Sequence, residues 1–236
     1  MNTERDNSFK AELKEHARRL GADLVGIAPM ERFAPAPDGY KPTDFMPSAR
    51  SVVVMARKLP EAALESRHRF TVYTMVNIDT LKRMDHLALD LANFIESRGG
   101  RALPIPADEP YTYWDEENRR GMGELSHRHA AAAAGLGVLG RNTLLITPQY
   151  GNRVLLVSVV TDREIEPDPL VTLELCPAKC RLCLDACPAG ALDGGPSVAQ
   201  KKCREVCQSK VSKGHSVYSC WECRRVCPAR ARVNSG

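Results

Sequence analysis

The residues of this chain whose type and spacing most directly imply chemistry are its nine cysteines, all between Cys176 and Cys227. They read Cys176-Pro-Ala-Lys-Cys180-Arg-Leu-Cys183-Leu-Asp-Ala-Cys187-Pro188, then Cys203 and Cys207, then Cys220-Trp-Glu-Cys223-Arg-Arg-Val-Cys227-Pro228. The string C-x2-C-x3-C-P occurs twice. Short intervals let one loop wrap a corner of an iron–sulfur cubane, while the cysteine before proline serves the other cluster. Two such runs predict two 4Fe–4S clusters with crossed ligands. One cluster would take Cys176, Cys180, Cys183 and Cys227. The other would take Cys187, Cys220, Cys223 and either Cys203 or Cys207. Four-cysteine zinc sites also use C-x2-C pairs, but the paired runs are cubane spacing. The first interval, C-x3-C, is irregular and predicts a bulged loop.

Upstream lie weaker candidates. Gly135-Leu136-Gly137-Val138-Leu139-Gly140 is a G-x-G-x-x-G string. It follows a predicted helix and opens a predicted strand, the reverse of the dinucleotide-binding context. Two readings stand: a helix end with a tight turn, or close backbone approach to a large flat ligand. His127 and His129 are two apart and cannot share a helix face, which argues against a two-histidine metal site. One of them could serve as an acid or base, the other reading being a capping or solvated histidine. The acids Asp115, Glu116, Glu117 and Glu124, with Tyr111 and Tyr113, form a polar, aromatic stretch. It is either solvated or lends a proton donor to a pocket. No serine or cysteine nucleophile arrangement and no phosphate-binding loop is present.

These residues need elements to position them. Phe9, Leu13, Ala17 and Leu20 make one apolar stripe, predicting a helix over 8–20 that stops at Gly21. Residues 23–28 and 51–56 read as buried strands, separated by a loop with five prolines between 29 and 47. Residues 70–73 read as the start of an extended piece. Leu81, Met84, Leu87, Leu91, Phe94 and Ile95 predict a helix over 80–96, ended by Gly99 and Gly100. A short strand follows at 102–105. Ser126 is the predicted N-cap of an alanine-rich helix to Ala134. Residues 143–147 and 153–161 read as strands of a hairpin turning at 148–152. Glu164 to Pro169 reads as a linker. The mixture predicts an α/β or α+β layer domain at 1–168, followed by a small two-cluster module at 169–236.

Composition bounds the rest. With 236 residues, 43% apolar and 26% charged, the chain suits a globular protein of one or two domains. No apolar run approaches the ~20 residues of a membrane span. Residues 1–10 lack an apolar signal core, which points to the cytoplasm, where clustered cysteines mean metal rather than disulfides. The net charge of +4 is uneven: from Leu173 onward 11 Lys/Arg face 5 Asp/Glu. That basic segment is a solvated surface, or a dock for an acidic electron donor or a phosphate backbone.

The run from Ala134 through Gly135-Leu136-Gly137-Val138-Leu139-Gly140-Arg141-Asn142 to Ile146, then the predicted hairpin, linker and two cysteine runs, resembles the epoxyqueuosine reductase family and its relatives. So do the opening Leu20-Gly21-Ala22-Asp23-Leu24-Val25-Gly26-Ile27 and the helix around 85–95. The resemblance implies a nitroreductase-like cobalamin-binding layer domain, a fold shared with reductive dehalogenases. It also implies a ferredoxin-like module whose two 4Fe–4S clusters pass electrons to base-off cobalamin. On that resemblance Gly135, Leu136, Gly137, Gly140, Arg141 and Asn142 line the corrin. Cys203, rather than Cys207, is the isolated cluster ligand. A flavodoxin or ferredoxin is the implied donor, and tRNA the implied substrate carrier. Two departures bear on the substrate. The family's catalytic Asp lies about fourteen residues before the glycine turn, where this chain has Gly121. Family members commonly continue past the last cysteine into helical repeats that engage tRNA, whereas this chain stops at Gly236. Glu124, His127 and Tyr113 are therefore the candidate proton donors. The alternative is a non-catalytic electron-transfer or corrinoid-handling protein.

Overall fold

The computed structural model describes residues 2–65, 70–210 and 216–231. Helix α1 (Asn2–Arg19) leads into strand β1 (Leu24–Pro29). A 3-10 turn at Met30–Phe33 and the one-turn helix α2 (Pro42–Phe45) lie in the proline-rich stretch. Strand β2 (Ser51–Lys58), helix α3 (Glu61–Glu65), helix α4 (Phe70–Ser97) and strand β3 (Ala102–Ile105) follow. Then come β4 (Tyr113–Asp115), β5 (Arg120–Met122), α5 (His127–Ala133), β6 (Val138–Leu139), β7 (Leu145–Ile146) and β8 (Val154–Thr161). The cysteine-bearing segment adds α6 (Leu182–Asp185), α7 (Gln200–Cys207), β9 (Gln208–Lys210), β10 (Ser216–Tyr218) and α8 (Glu222–Arg225).

The central sheet runs β1-β2-β8-β3, every neighbour antiparallel. Strand β2 is buried on both faces, which is why its sequence is a continuous apolar run rather than an alternation. Successive side chains point to opposite faces. Val53 and Met55 join Val157 and Val159 under α1 and α4, packing on Leu13, Met84 and Leu91. Val52, Val54 and Ala56 face the other way, onto Ala130 and Ala131 of α5 and onto Leu136. Each fully buried side chain of this kind contributes about 1.5–3 kcal/mol. The result is a layer of two helices, a sheet, and a second layer of α5 with the glycine turn.

Three expectations are corrected. Residues 70–73 are not extended; they open α4, which starts ten residues before the predicted helix. Its first turns bury Tyr73, Thr74 and Asn77 while exposing Val72, Met75 and Ile78, so polarity there runs opposite to a normal amphipathic stripe. The predicted hairpin does not pair as one. Strand β7 pairs with β6, and β8 pairs with β2 and β3; only the Thr147–Gly151 bridge joins the two segments. The segment 164–169 is not a loose linker. Ile165 is core, its N–H donates to Ser51 Oγ at 3.0 Å, and Asp168 is bonded through its own N–H to the Ile27 carbonyl.

The polar stretch after β3 is a hairpin, β4–β5, with Trp114 opposite Gly121. Helix α5 begins after Ser126 as predicted, but that hydroxyl bonds His129 Nδ1 at 2.7 Å instead of capping a backbone amide. Among the described residues no helix is long and apolar enough to cross a membrane.

Candidate functional site

All nine cysteines are free thiols, and eight of them fall into two groups of four. Cys176, Cys180, Cys183 and Cys227 line one cavity, with Arg141, Asn142 and Ile146 closing its inner side. Cys180 and Cys183 flank the start of α6 and Cys227 follows α8, so two short helices hold the set from opposite ends of the segment. Burial raises the Cys183 thiol, and the charges of Cys176, Cys227 and Cys180 add to the rise. The Arg141 N–H approaches Cys176 Sγ at 3.5 Å, a donor of the kind that tunes a cluster sulfur.

The second group is Cys187, Cys203, Cys220 and Cys223. Burial pushes the Cys223 thiol up to about 12; Arg224 offsets part of this, and the charges of Cys203, Cys220 and Cys187 add to it. Cys220 is raised by burial first and then by Cys203 and Cys187 among its neighbours. The Ala191 N–H donates to Cys187 Sγ at 3.3 Å. Donors that are all sulfur, four to a group and spread around a space, suit a cubane. Eight of the cysteines fit two 4Fe–4S clusters.

The second run is anchored by the residue between two of its cysteines. Trp221 is buried, stacks on Tyr73 with centroids 4.4 Å apart, and donates from Nε1 to the Leu64 carbonyl at 2.9 Å. Asn142 Nδ2 donates to the Cys223 carbonyl at 3.1 Å, and Asn152 Nδ2 reaches the Arg224 carbonyl at 3.3 Å.

The glycine turn packs closely against the rest of the chain. Gly135 has a positive φ of +73° at the end of α5, and a Cβ there would lie 2.1 Å from the Pro169 carbonyl oxygen. At Gly137 a Cβ would meet the Ile146 carbonyl at 2.2 Å, and at Gly140 the Ile146 side chain at 2.6 Å. The protein's own chain fills the space that glycine leaves. Leu136 is core, Asn142 braces the cysteine segment, and Arg141 Nη1 donates to the Ala178 carbonyl. Arg141 and Asn142 face the first thiol group.

The candidate proton donors separate. Glu124 and His127 line a cavity of about 160 Å³ with Ile105, Asp108, Tyr111 and Gly123. That is smaller than the roughly 300–1,000 Å³ of sites for drug-sized ligands. Glu124 has no side-chain hydrogen-bond partner among the described residues. His127 is fully engaged: Nε2 lies 2.7 Å from the Pro106 carbonyl, and Nδ1 2.8 Å from Ser158 Oγ. A carbonyl only accepts, so Nε2 carries the hydrogen. Burial lowers the His127 pKa, which favours the neutral ring. Tyr113 is 47% exposed and does not line the cavity. Tyr111 lines it instead. Its hydroxyl donates to Asp108 Oδ1 at 2.8 Å and accepts from Arg204 at 3.1 Å, and burial raises it to about 12. Arg204 lies over the stacked rings of Tyr111 and Trp114, 5.2 and 5.0 Å from their centroids. Asp108, Gln200 and Arg204 could not be read as site residues from sequence. Their partners lie 79 to 93 residues away along the chain or carry no motif.

No protein-family model matches the chain. Epoxyqueuosine reductase of Bacillus subtilis (strain 168) is 28% identical over 253 residues, covering 93% of this chain and 63% of that protein. The tetrachloroethene reductive dehalogenase of Desulfitobacterium hafniense is 28% identical, covering 84% and 41%. Among solved structures, an epoxyqueuosine reductase with an epoxyqueuosine-modified tRNA-Tyr stem loop matches with a TM-score of 0.68 and 24% identity, over 95% of this chain and 66% of that one. A reductive dehalogenase whose structure suggests a mechanism for B12-dependent dehalogenation matches with a TM-score of 0.68 and 22% identity, over 92% and 31%. The chain thus spans less than two thirds of the Bacillus relative, and in sequence and fold it is similar to epoxyqueuosine reductases and reductive dehalogenases, as a chain shorter than those it matches.

Proposed function

We propose that the protein is an iron–sulfur reductase. A ferredoxin-like module at 169–236, on a nitroreductase-like layer domain at 1–168, would carry electrons from a flavodoxin or ferredoxin toward an organic substrate. The observation that supports this is the division of eight thiols into two groups of four, each drawing on both cysteine runs. Cys176, Cys180, Cys183 and Cys227 would hold one cluster, and Cys187, Cys203, Cys220 and Cys223 the other. The clusters, when bound, supply one-electron chemistry over a wide range of potentials. The chain's own residues bury the thiols, aim the Arg141 and Ala191 N–H groups at sulfur, and brace Cys223 through Asn142. Free thiols suit a reducing compartment such as the cytoplasm. Kinship with B12-dependent dehalogenases adds cobalamin as an electron acceptor, with the glycine turn from Gly135 to Asn142 as its seat. Glu124 is the proton donor best disposed toward a small substrate in the cavity it shares with Tyr111.

A second reading, an electron-transfer or corrinoid-handling protein without catalysis of its own, is favoured by one observation. The position of the family's acid is Gly121, whose N–H is bonded to Gln200 and whose missing side chain leaves room for Tyr111.

The test is anaerobic purification after growth with cobalamin, followed by a visible spectrum and iron analysis. Cubane absorption with two clusters' worth of iron per chain is expected. A colourless protein overturns the reading, and retained zinc would replace it. Corrinoid bands would support the cobalamin acceptor. Restoration of queuosine in a strain lacking the reductase would extend the tRNA substrate of the relatives to this chain; failure to restore it removes that substrate.

A further inference from the structure

The chain has one thiol more than two cubanes need, and its position is informative. Cys203 and Cys207 stand at i and i+4 of α7, on one face of the helix, with their sulfurs 3.9 Å apart. Cys207 is the last residue of α7, so no further helical turn walls it off. Its carbonyl accepts from the Ser219 N–H at 2.8 Å, which ties the helix end to the residue before Cys220. Ser219 Oγ also donates to the Val206 carbonyl at 2.7 Å. Cys207 is close enough to Cys203 and Cys220 for the charges of both to act on it. The end of α7 and the start of the second cysteine run are therefore one packed corner, with two thiols of α7 turned toward it.

We propose that Cys207 is a substitute ligand for the second cluster: Cys187, Cys220 and Cys223 are its constant ligands, and either Cys203 or Cys207 completes it. Sulfurs one helical turn apart exchange by rotation about χ1, with the helix in place. The step is ligand substitution without net oxidation. The Cys207 thiol gives its proton to solvent as its sulfur bonds to iron, and the departing Cys203 thiolate takes up a proton. Such a site keeps its cluster when one of the two sulfurs is oxidised or alkylated.

The inference rests on the two-cluster reading, and the experiment separates the two. Full-length wild type, Cys187→Ala, Cys203→Ala, Cys207→Ala and the Cys203→Ala/Cys207→Ala double variant are reconstituted anaerobically with iron and sulfide. Iron per chain and the EPR spectrum after dithionite reduction are measured. Native alkylation with mass mapping then shows which thiols the clusters protect. Both single variants of α7 should keep two clusters' worth of iron, with a shifted EPR signal in Cys203→Ala. Cys187→Ala and the double variant should each lose one cluster. Cys207 should be alkylated in wild type and protected in Cys203→Ala. The first cluster's signal reports that each variant is folded. Loss of a cluster in either single variant, or retention of both in the double variant, overturns the substitute-ligand proposal alone. Absence of clusters in wild type overturns the reading beneath it.

Discussion

The side-chain amide of Gln200 brackets the peptide of Gly121, accepting from its N–H at 2.9 Å and donating to its carbonyl at 3.1 Å. Gln200 opens the helix that carries Cys203, and Gly121 lies in the hairpin beside the Glu124 cavity. The pair thus links the cysteine segment to the border of the candidate substrate site.

That link makes Gly121 intolerant of a side chain. A Cβ there would lie 2.8 Å from the Tyr111 ring, which Arg204 and Trp114 hold in place. Gly121→Ala should cost about 1–3 kcal/mol by overpacking, and Gln200→Ala about 1–3 kcal/mol by leaving two backbone groups short of a partner. Denaturant unfolding of each variant measures this. A Gly121→Ala protein as stable as wild type would contradict the packing described.

Trp221 should decide whether the second thiol group holds together. Truncating a large buried aromatic costs about 3–5 kcal/mol, and here it also frees the peptide between Cys220 and Cys223. Trp221→Ala should lose the second cluster while keeping the first, read as a fall in iron per chain with one EPR signal surviving. Trp221→Phe, which keeps the stacking on Tyr73, should retain both.

Asp168 pins the start of the cysteine-bearing segment to the first strand. Its carboxylate accepts from the Ile27 N–H at 3.0 Å and pairs with Lys14 at 2.6 Å and Lys10 at 3.2 Å, with side chains only 16–18% exposed. Asp168→Ala should destabilise the protein by about 2–4 kcal/mol, because it leaves two half-buried ammonium groups and an amide without their acceptor. Thermal unfolding together with limited proteolysis near residue 168 tests this. A variant with unchanged stability would show the contacts to be incidental.

His127 predicts a pH dependence with a definite sign. Burial lowers its pKa in the folded state, although Asp85, Asp108 and Glu124 oppose the shift. The unfolded chain takes up the proton near 6.5, roughly the ordinary histidine value, while the folded protein does not. The stabilisation is therefore complete above about 6.5 and is lost as pH falls toward the folded pKa. Urea unfolding between pH 7.5 and 5 should show stability declining in wild type. His127→Gln should remove that part of the slope and lower stability at neutral pH.

Much of this protein was legible in its sequence because the signals were local. Thiol spacing within two short runs pointed to the two groups of four that the fold brings together, each drawing on both runs. The apolar runs at 23–28 and 51–56 read as strands because both faces of the strands they form, Leu24–Pro29 and Ser51–Lys58, are largely buried. Tertiary structure alone decided the rest. Helix α4 starts at Phe70 because Tyr73, Thr74 and Asn77 are covered by a segment over 140 residues away, which reverses the polarity that a helix stripe would show. At glycines 135, 137 and 140 the position a side chain would take is held by the Pro169 and Ile146 carbonyls and the Ile146 side chain. Gln200 finds Gly121, and Cys203 meets Cys207 beside Cys220, through packing between elements. A sequence pattern records what one segment must bury or bind. It does not record which distant segment arrives to do the burying, and here that choice sets both the glycine turn and the corner around the ninth cysteine.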